Sequence, residues 1–404
     1  MALLKNRNFL RVIAARFLTD SGNKFFLFAV EWWLINSAIE HNKTILGVIM
    51  GASTAGLVIF SPMMGVFADR YNRKKCMVVA LLLSVVILFL TIVLLPIYFR
   101  LPLLFALSLI LTNGFGSLYD VAQQTSLGAI AGRRDLSRAV SMTGAVLPVS
   151  AIIGSILCGI VIQFGGIYAA FWADIVMIIM AAILSFRVTT PLCVAKEQKD
   201  GHRTTYWDDF KEVFSFLNKE RPIMYLLLLL SISSFFIYPM LFMVPIFAKE
   251  VFHGTPLVMS MLEFMIGAGV ATGAVTLSVI KKKINRDRLI SISFIGIGLM
   301  YILMSVKGLT LSCIALFGFG LSVVSMIISL LVIAQNYIPS QIQGRAFSVA
   351  ASLVTIIAPL GMTIAGFMTE NISLDVILIS LGAIVLLCAL LYTKLPKIDI
   401  SYKM

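Results

Sequence analysis

The chain has 404 residues, 60% of them hydrophobic and only 13% charged, with a formal net charge of +13 and a mean hydropathy of +1.00. A soluble domain carries charge on roughly a quarter of its residues, so this composition excludes one and describes an all-α polytopic membrane protein. The positive charge does not point to nucleic acid as a partner, because the basic residues fall in short loops between apolar runs rather than on one soluble face.

Lys5 and Arg7 precede the first apolar run, and Arg11 lies at its start. That run continues past signal-peptide length without a small-residue cleavage site, which predicts an uncleaved first span. Stretches long enough to cross a ~30 Å hydrocarbon core cover 9–37, 44–68, 76–98, 101–131, 139–163, 166–187, 222–248, 256–280, 288–306, 309–335, 346–369 and 373–394. They predict twelve transmembrane helices with both termini on one side. Residues 188–221, rich in Lys, Glu, Gln, Asp and Thr, are the one long break, with an amphipathic piece from Trp207 to Leu217. We expect a cytoplasmic linker with a surface helix there, joining six-helix bundles over 1–187 and 222–404. In this layout 26 of the 32 Lys and Arg lie on one side, and only Lys43, Arg100, Lys249 and Lys307 lie on the other. The positive-inside rule makes the basic side cytoplasmic, which predicts a multi-pass membrane protein with both termini inside.

The densest basic turn, Gly65 to Lys75, reads G-V-F-A-D-R-Y-N-R-K-K. A shift of 212 positions carries Ala122-Gln123-Gln124 onto Ala334-Gln335-Asn336 and the turn onto residues 277–287, where the basic charge recurs but the Gly and Asp do not. Two parallel six-span repeats are the architecture of the major facilitator class. The spacing of Gly65, Asp69, Arg70, Arg73 and Lys74 resembles the signature loop between helices 2 and 3 of that superfamily. Ala173-Asp174, Tyr238-Pro239-Met240 with Pro245, H-G-T-P from His253 to Pro256, and Q-I-Q-G-R-A-F-S from Gln341 to Ser348 resemble the macrolide-efflux-type branch of its drug/proton antiporters. Gly65 would allow a close helix approach, and Asp69 would meet the positive end of a helix in the other half. The resemblance implies that this helix begins near Gly344-Arg345 and that Arg73 pairs with Asp120. Gly65, Asp69, Arg70, Arg73, Asp120 and Arg345 would then form a cytoplasmic gate. The plainer reading of the loop is a topogenic basic turn.

Span 1 carries Arg16, Asp20, Lys24 and Glu31 within an arc of about 80° at 100° per residue, with Asn23 beside them. Charge in hydrocarbon is costly, so this stripe faces a partner helix or a water-filled cavity. It either neutralises itself as a packing network or exchanges a proton at Asp20 or Glu31. Glu263 in span 8 is a further proton or cation candidate. Asp174 in span 6 is expected to make a structural helix-packing hydrogen bond. Aromatics and methionines on spans 1 and 7 (Phe25, Phe26, Trp32, Trp33, Phe235, Phe236, Tyr238, Met240, Met243) suit bulky amphipathic ligands, or else face lipid, with Trp32 and Trp33 as interface anchors. The substrate-binding candidates are Arg16, Asn23, Lys24, Phe25, Trp32, Phe236, Tyr238 and Met240. Span 5 lacks the adjacent Gly-Pro pair usual in drug antiporters but keeps Pro148, Gly154 and Gly159.

No G-x-x-x-x-G-K-[ST] loop is present, and His41, His202 and His253 form no ligand cluster. No enzyme, cofactor or metal site is expected, and the resemblance to drug/proton antiporters implies a proton gradient as the energy source. The sequence therefore predicts a monomeric secondary transporter in contact with membrane lipid, exporting an amphipathic small molecule in exchange for protons. Export of an anionic metabolite or metal-chelating compound, and a non-transporting membrane sensor, are the alternatives.

Overall fold

The computed structural model describes residues 2–36, 43–98, 101–189, 221–280, 285–338 and 340–394, and among them no strand is present. After a short turn at Ala2–Lys5, α1 spans Arg7–Asn36, α2 Lys43–Arg70 and α3 Arg73–Tyr98. From Pro102 to Phe186 the chain is helical except at Gly132 and Gly166, whose φ angles are 72° and 76°. L side chains resist that backbone region, so glycine is what permits both kinks. They divide the stretch into α4 (Pro102–Gly132), α5 (134–165) and α6 (167–186), close to the boundaries expected between spans 4, 5 and 6. Next come α7 (Arg221–Ile246), a wider helical turn at Phe247–Val251, α8 (Pro256–Val279) and α9 (Arg286–Met304). The last three are α10 (Leu309–Tyr337), α11 (Ser340–Asn371) and α12 (Leu374–Lys394).

Among the described residues, eight stretches are long and apolar enough to cross a membrane, and one of them, Arg134–Phe186, is 53 residues long. At 1.5 Å per residue that is about 80 Å, enough for two crossings. The expected linker lies mostly outside the described residues, and its amphipathic piece lies wholly outside them.

The outward-facing positions show why these helices need lipid. On α3, Val79, Leu82, Val86, Leu90, Val93 and Ile97 are exposed and recur every three or four residues, whereas Ala80, Ser84, Leu88, Thr91 and Leu95 are buried. The pattern departs from that of a soluble amphipathic helix, with large apolar side chains facing outward and the small and hydroxyl side chains packed within beside two leucines. The buried hydroxyls are satisfied by their own helix: Ser84 Oγ donates to Ala80 O at 3.0 Å and Thr91 Oγ1 to Ile87 O at 2.8 Å.

Two compact units are present, one formed by Met1–Lys199 with Ala248–Met261, the other by Asp200–Phe247 with Leu262–Met404. In the first, α1 packs against three helices at once. Trp33 meets Phe105 of α4 edge-on at 5.2 Å, Cys158 of α5 donates to the Phe25 carbonyl at 3.5 Å, and Phe26 lies 5.9 Å from Phe171 of α6. In the second unit, α8 and α10 cross where Gly269 faces the Phe317 carbonyl and Gly320 faces that of Ile266. Tyr301 of α9 stands perpendicular to Phe319 of α10 at 5.8 Å and donates its hydroxyl to the Phe236 carbonyl of α7.

The close approach expected at Gly65 occurs elsewhere. Among the described residues a Cβ at Gly65 would meet nothing within 4 Å, whereas one at Gly56 would lie 2.5 Å from Ile110 O and 3.0 Å from its Cα. Nine residues separate the two glycines, and at 100° per residue this puts them on opposite sides of α2. Only Gly56 looks at α4. Gly56→Val should therefore lower stability by about 1–3 kcal/mol through overpacking. Gly65→Ala should be neutral or stabilising by up to about 1 kcal/mol, since alanine is the better helix former. Thermal unfolding of both variants in the same detergent checks this, and equal melting temperatures would contradict the α2–α4 contact.

Candidate functional site

The charged stripe of α1 is built around Arg16, which lies about 14 Å along the helix from Arg7 at 1.5 Å per residue and is only 9% exposed. Its Nε donates to Asp20 Oδ2, one helical turn on, at 2.8 Å. Its Nη1 donates to Asp120 Oδ1 of α4. One guanidinium, with five N–H donors in a planar fork, thus serves two carboxylates on two helices. The Asp20 side chain is 8% exposed and that of Asp120 is 38% exposed, so the cluster is reached from the Asp120 side. Lys24, one turn beyond Asp20, lays its stem against Gly154 of α5, where an added Cβ would come within 3.1 Å of the lysine Cβ. Glu31 is half-buried further along. Asp20 and Asp120 on the single guanidinium of Arg16 leave one negative charge in excess.

Asp120 therefore has a partner other than the one expected. Arg73 Nη1 donates to the Thr125 carbonyl at 2.9 Å, five residues, or about 7.5 Å, farther along α4. Arg16 already occupies Asp120, and Arg73 instead satisfies a carbonyl near the end of α4. The turn before it is tight. Arg70 ends α2 and is exposed, and Asn72 Oδ1 accepts from the backbone N–H groups of Lys74 at 3.0 Å and Lys75 at 3.4 Å. This is an N-cap for α3. Lys74 sits 4.9 Å from the Phe186 ring centroid. The side chains of Asp69 and Arg345 lie outside the described residues.

Of the aromatic and polar residues expected to line a substrate path, only Asn23 is exposed. Phe25, Trp32, Phe236 and Met240 are all buried, Met240 completely. Tyr238 is half-buried, its Cβ 3.4 Å from where a Cβ on Gly361 of α11 would stand. Trp32 and Trp33 are 8% and 7% exposed, which does not suit residues anchoring at a lipid interface. Lys249 lies 5.8 Å from the Trp32 ring centroid, and its neighbour Glu250 pairs with Lys43 at 2.7 Å. Ser260 packs onto Gly159 of α5, so the close approach expected at Gly154 and Gly159 is present at both. Glu263 is half-buried in the second unit.

Asp174 also departs from expectation. It is 1% exposed, and its Oδ1 has no hydrogen-bond partner among the described residues. The residue facing it on α1 is Gly22, where an added Cβ would collide with Oδ1, and glycine offers no side-chain donor. Gln123 was legible only as part of the repeated Ala-Gln-Gln. It is fully buried in α4, with neither amide atom partnered among the described residues.

The sequence model of the Major Facilitator Superfamily matches residues 12–359. The chain belongs to that family. Macrolide efflux protein A of Streptococcus pyogenes is 22% identical over 375 residues, covering 88% of this chain and 89% of that protein. The protein of the same name from Enterococcus faecalis is 23% identical over 343 residues, covering 81% of this chain and all of that one. Among solved structures, the nucleoside transporter NupG superposes with a TM-score of 0.72 at 15% identity, covering 96% of this chain and 98% of that chain. An inward-facing bacterial homologue of the iron transporter ferroportin gives 0.71 at 14%, covering 96% and 99%. These last two establish the fold alone. The chain is thus a membrane transporter of the major facilitator fold, and its charge cluster sits on the first helix of that fold.

Removing Arg16 should be far more damaging than removing Asp120. Arg16→Gln strands the buried Asp20 carboxylate, at a cost of about 3–5 kcal/mol, whereas Asp120→Asn removes one half-exposed partner and should cost no more than about 1 kcal/mol. Unfolding midpoints in detergent measure the difference, and comparable losses would show that Asp20 does not depend on Arg16.

Proposed function

We propose that this transporter exports an amphipathic small molecule, macrolide-like in size and polarity, in exchange for protons by alternating access. It would act as a monomer in a bacterial plasma membrane, crossing it twelve times with both termini cytoplasmic. The observation that carries this reading is the charge balance around Arg16. With two carboxylates on one guanidinium and one negative charge in excess, the cluster accepts one further positive charge. A proton on a carboxylate such as Asp20 and a cationic group on a substrate both supply it, and each makes the other superfluous. Mutual exclusion of that kind is what exchange requires. Glu31 and Glu263 would be the further candidates for proton coupling. Similarity to macrolide efflux proteins over most of the chain supports the direction and the substrate class. Arg16, engaged twice, has little capacity left for an anionic substrate, which weighs against export of an anionic metabolite or chelator.

Inverted membrane vesicles test the coupling. A macrolide should accumulate in them when the lumen is acidified, and a protonophore should return it to the level of vesicles lacking the protein. Accumulation indifferent to the protonophore contradicts antiport. The cytoplasmic turn is tested separately: Asp69→Asn should slow transport at least about tenfold, about 1.4 kcal/mol in the barrier, without loss of folded protein. Unchanged rates would leave the turn a topological device only.

A further inference from the structure

We infer that Asp174 is a proton-binding site, separate from the Arg16 cluster, whose occupancy is linked to the packing of α1 against α6. The inference rests on the reading of proton-coupled transport given above.

The carboxyl is 1% exposed, and Oδ1 finds no donor among the described residues. A carboxylate almost wholly withdrawn from water, with one oxygen lacking any donor, costs several kcal/mol when ionised, whereas the neutral acid costs little more than an unmade hydrogen bond. The site therefore suits the acid with its proton and not the anion.

None of the neighbouring helices supplies a compensating charge. On α1, Asp20 and Lys24 each lie two residues from Gly22, about 200° around the helix, so both turn away from Asp174. Asp20 is bound to Arg16, and Lys24 packs on Gly154 of α5. On α3, which meets α6 through Phe89 and Trp172 at 6.2 Å, no titratable residue lies between Cys76 and Tyr98. On α5, Cys158 is the sole titratable residue beyond Arg138, and its thiol donates to the Phe25 carbonyl. On α6 itself the other titratable residue is Tyr168, which is exposed.

Contact with Gly22 makes the site conditional. Oδ1 occupies the space that a side chain at position 22 would fill, with Ile178 bordering it. Closure of α1 on α6 shuts out water and favours the protonated acid. By linkage, loss of the proton favours separation of the two helices at this point, where water can solvate the anion. Ser21, next to Gly22, adds a second buried oxygen without a hydrogen-bond partner among the described residues. The contact therefore has few polar ties to oppose its opening.

Amide hydrogen exchange of residues 170–178 in the purified full-length protein, expressed as protection against unstructured peptide at each pH, tests this without a substrate. Wild type should lose protection as pH rises, and Asp174→Asn, permanently neutral, should hold its protection throughout. Loss of protection in both, or in neither, overturns the proposal. Infrared spectra give a second measurement: wild type should show a protonated carboxyl band that disappears on alkalinisation and is missing from Asp174→Asn. Should the asparagine variant fail to fold, Asp174→Glu should shift that band instead. A band unaltered by substitution at position 174, or no such band in wild type, also overturns the site. In proteoliposomes, Asp174→Asn driven by a pH gradient as well as wild type overturns this inference alone. Wild-type transport indifferent to a protonophore overturns the coupling reading on which it rests.

Discussion

An ionised side chain in hydrocarbon must bring its counter-charge with it, and in the first unit one residue meets most of that requirement. Arg16 neutralises Asp20 on its own helix and reaches across to Asp120 on α4. The pairing pins α1 to α4 at one height and leaves the remaining faces of α1 to apolar contact, with Phe26 on Phe171 and Trp33 on Phe105. Replacing the ion pair by apolar residues could be neutral or favourable for stability. Stability alone therefore does not account for three charges at this depth.

The cytoplasmic turn divides into parts with different physical jobs. Asn72 caps α3 and fixes the tightness of the turn, while Arg73 and Lys74 are tied down by a carbonyl of α4 and a ring of α6. Three basic residues at the start of α3 oppose the helix dipole, so their placement serves topology and anchoring rather than helix stability. The degraded copy at residues 277–287 kept the basic charge, in line with that division. Arg73 thus belongs with the anchors of α4, which leaves Asp69 and Arg345 as the residues of the proposed gate whose roles rest on the family resemblance.

Much of the fold was legible because it depends on properties local to each helix. Apolar length marked the helices and basic loops marked the turns. The spacing of Arg16, Asp20, Lys24 and Glu31 exposed the polar stripe because helical periodicity is an intrahelical quantity. Partner choice between helices is not. Arg73 and Arg16 both lie within reach of the end of α4, and only the rotation of each helix decides which one meets Asp120. The same rotation put Gly56 rather than Gly65 against α4, and set Asp174 opposite a glycine rather than a donor. The burial of Phe25 and Met240 was hidden likewise, since an aromatic or methionine reads identically whether it faces lipid, a cavity or a neighbouring helix.

The two acid environments flanking α1 give that helix its mechanical interest. On the α4 side, Asp20 is held by a guanidinium, so gain or loss of charge there changes an electrostatic balance without necessarily moving a helix. On the α6 side, Asp174 has no such partner, and its ionisation can be accommodated only by admitting water between two packed helices. The residues on these two sides are nearly adjacent in sequence, at positions 20 and 22, and a rigid helix cannot shift one without the other. Separation at Gly22 must therefore disturb Arg16 and its hold on Asp120, whose carboxylate is the one open to solvent. The coupling runs through the stiffness of one helical turn and needs no longer chain of contacts.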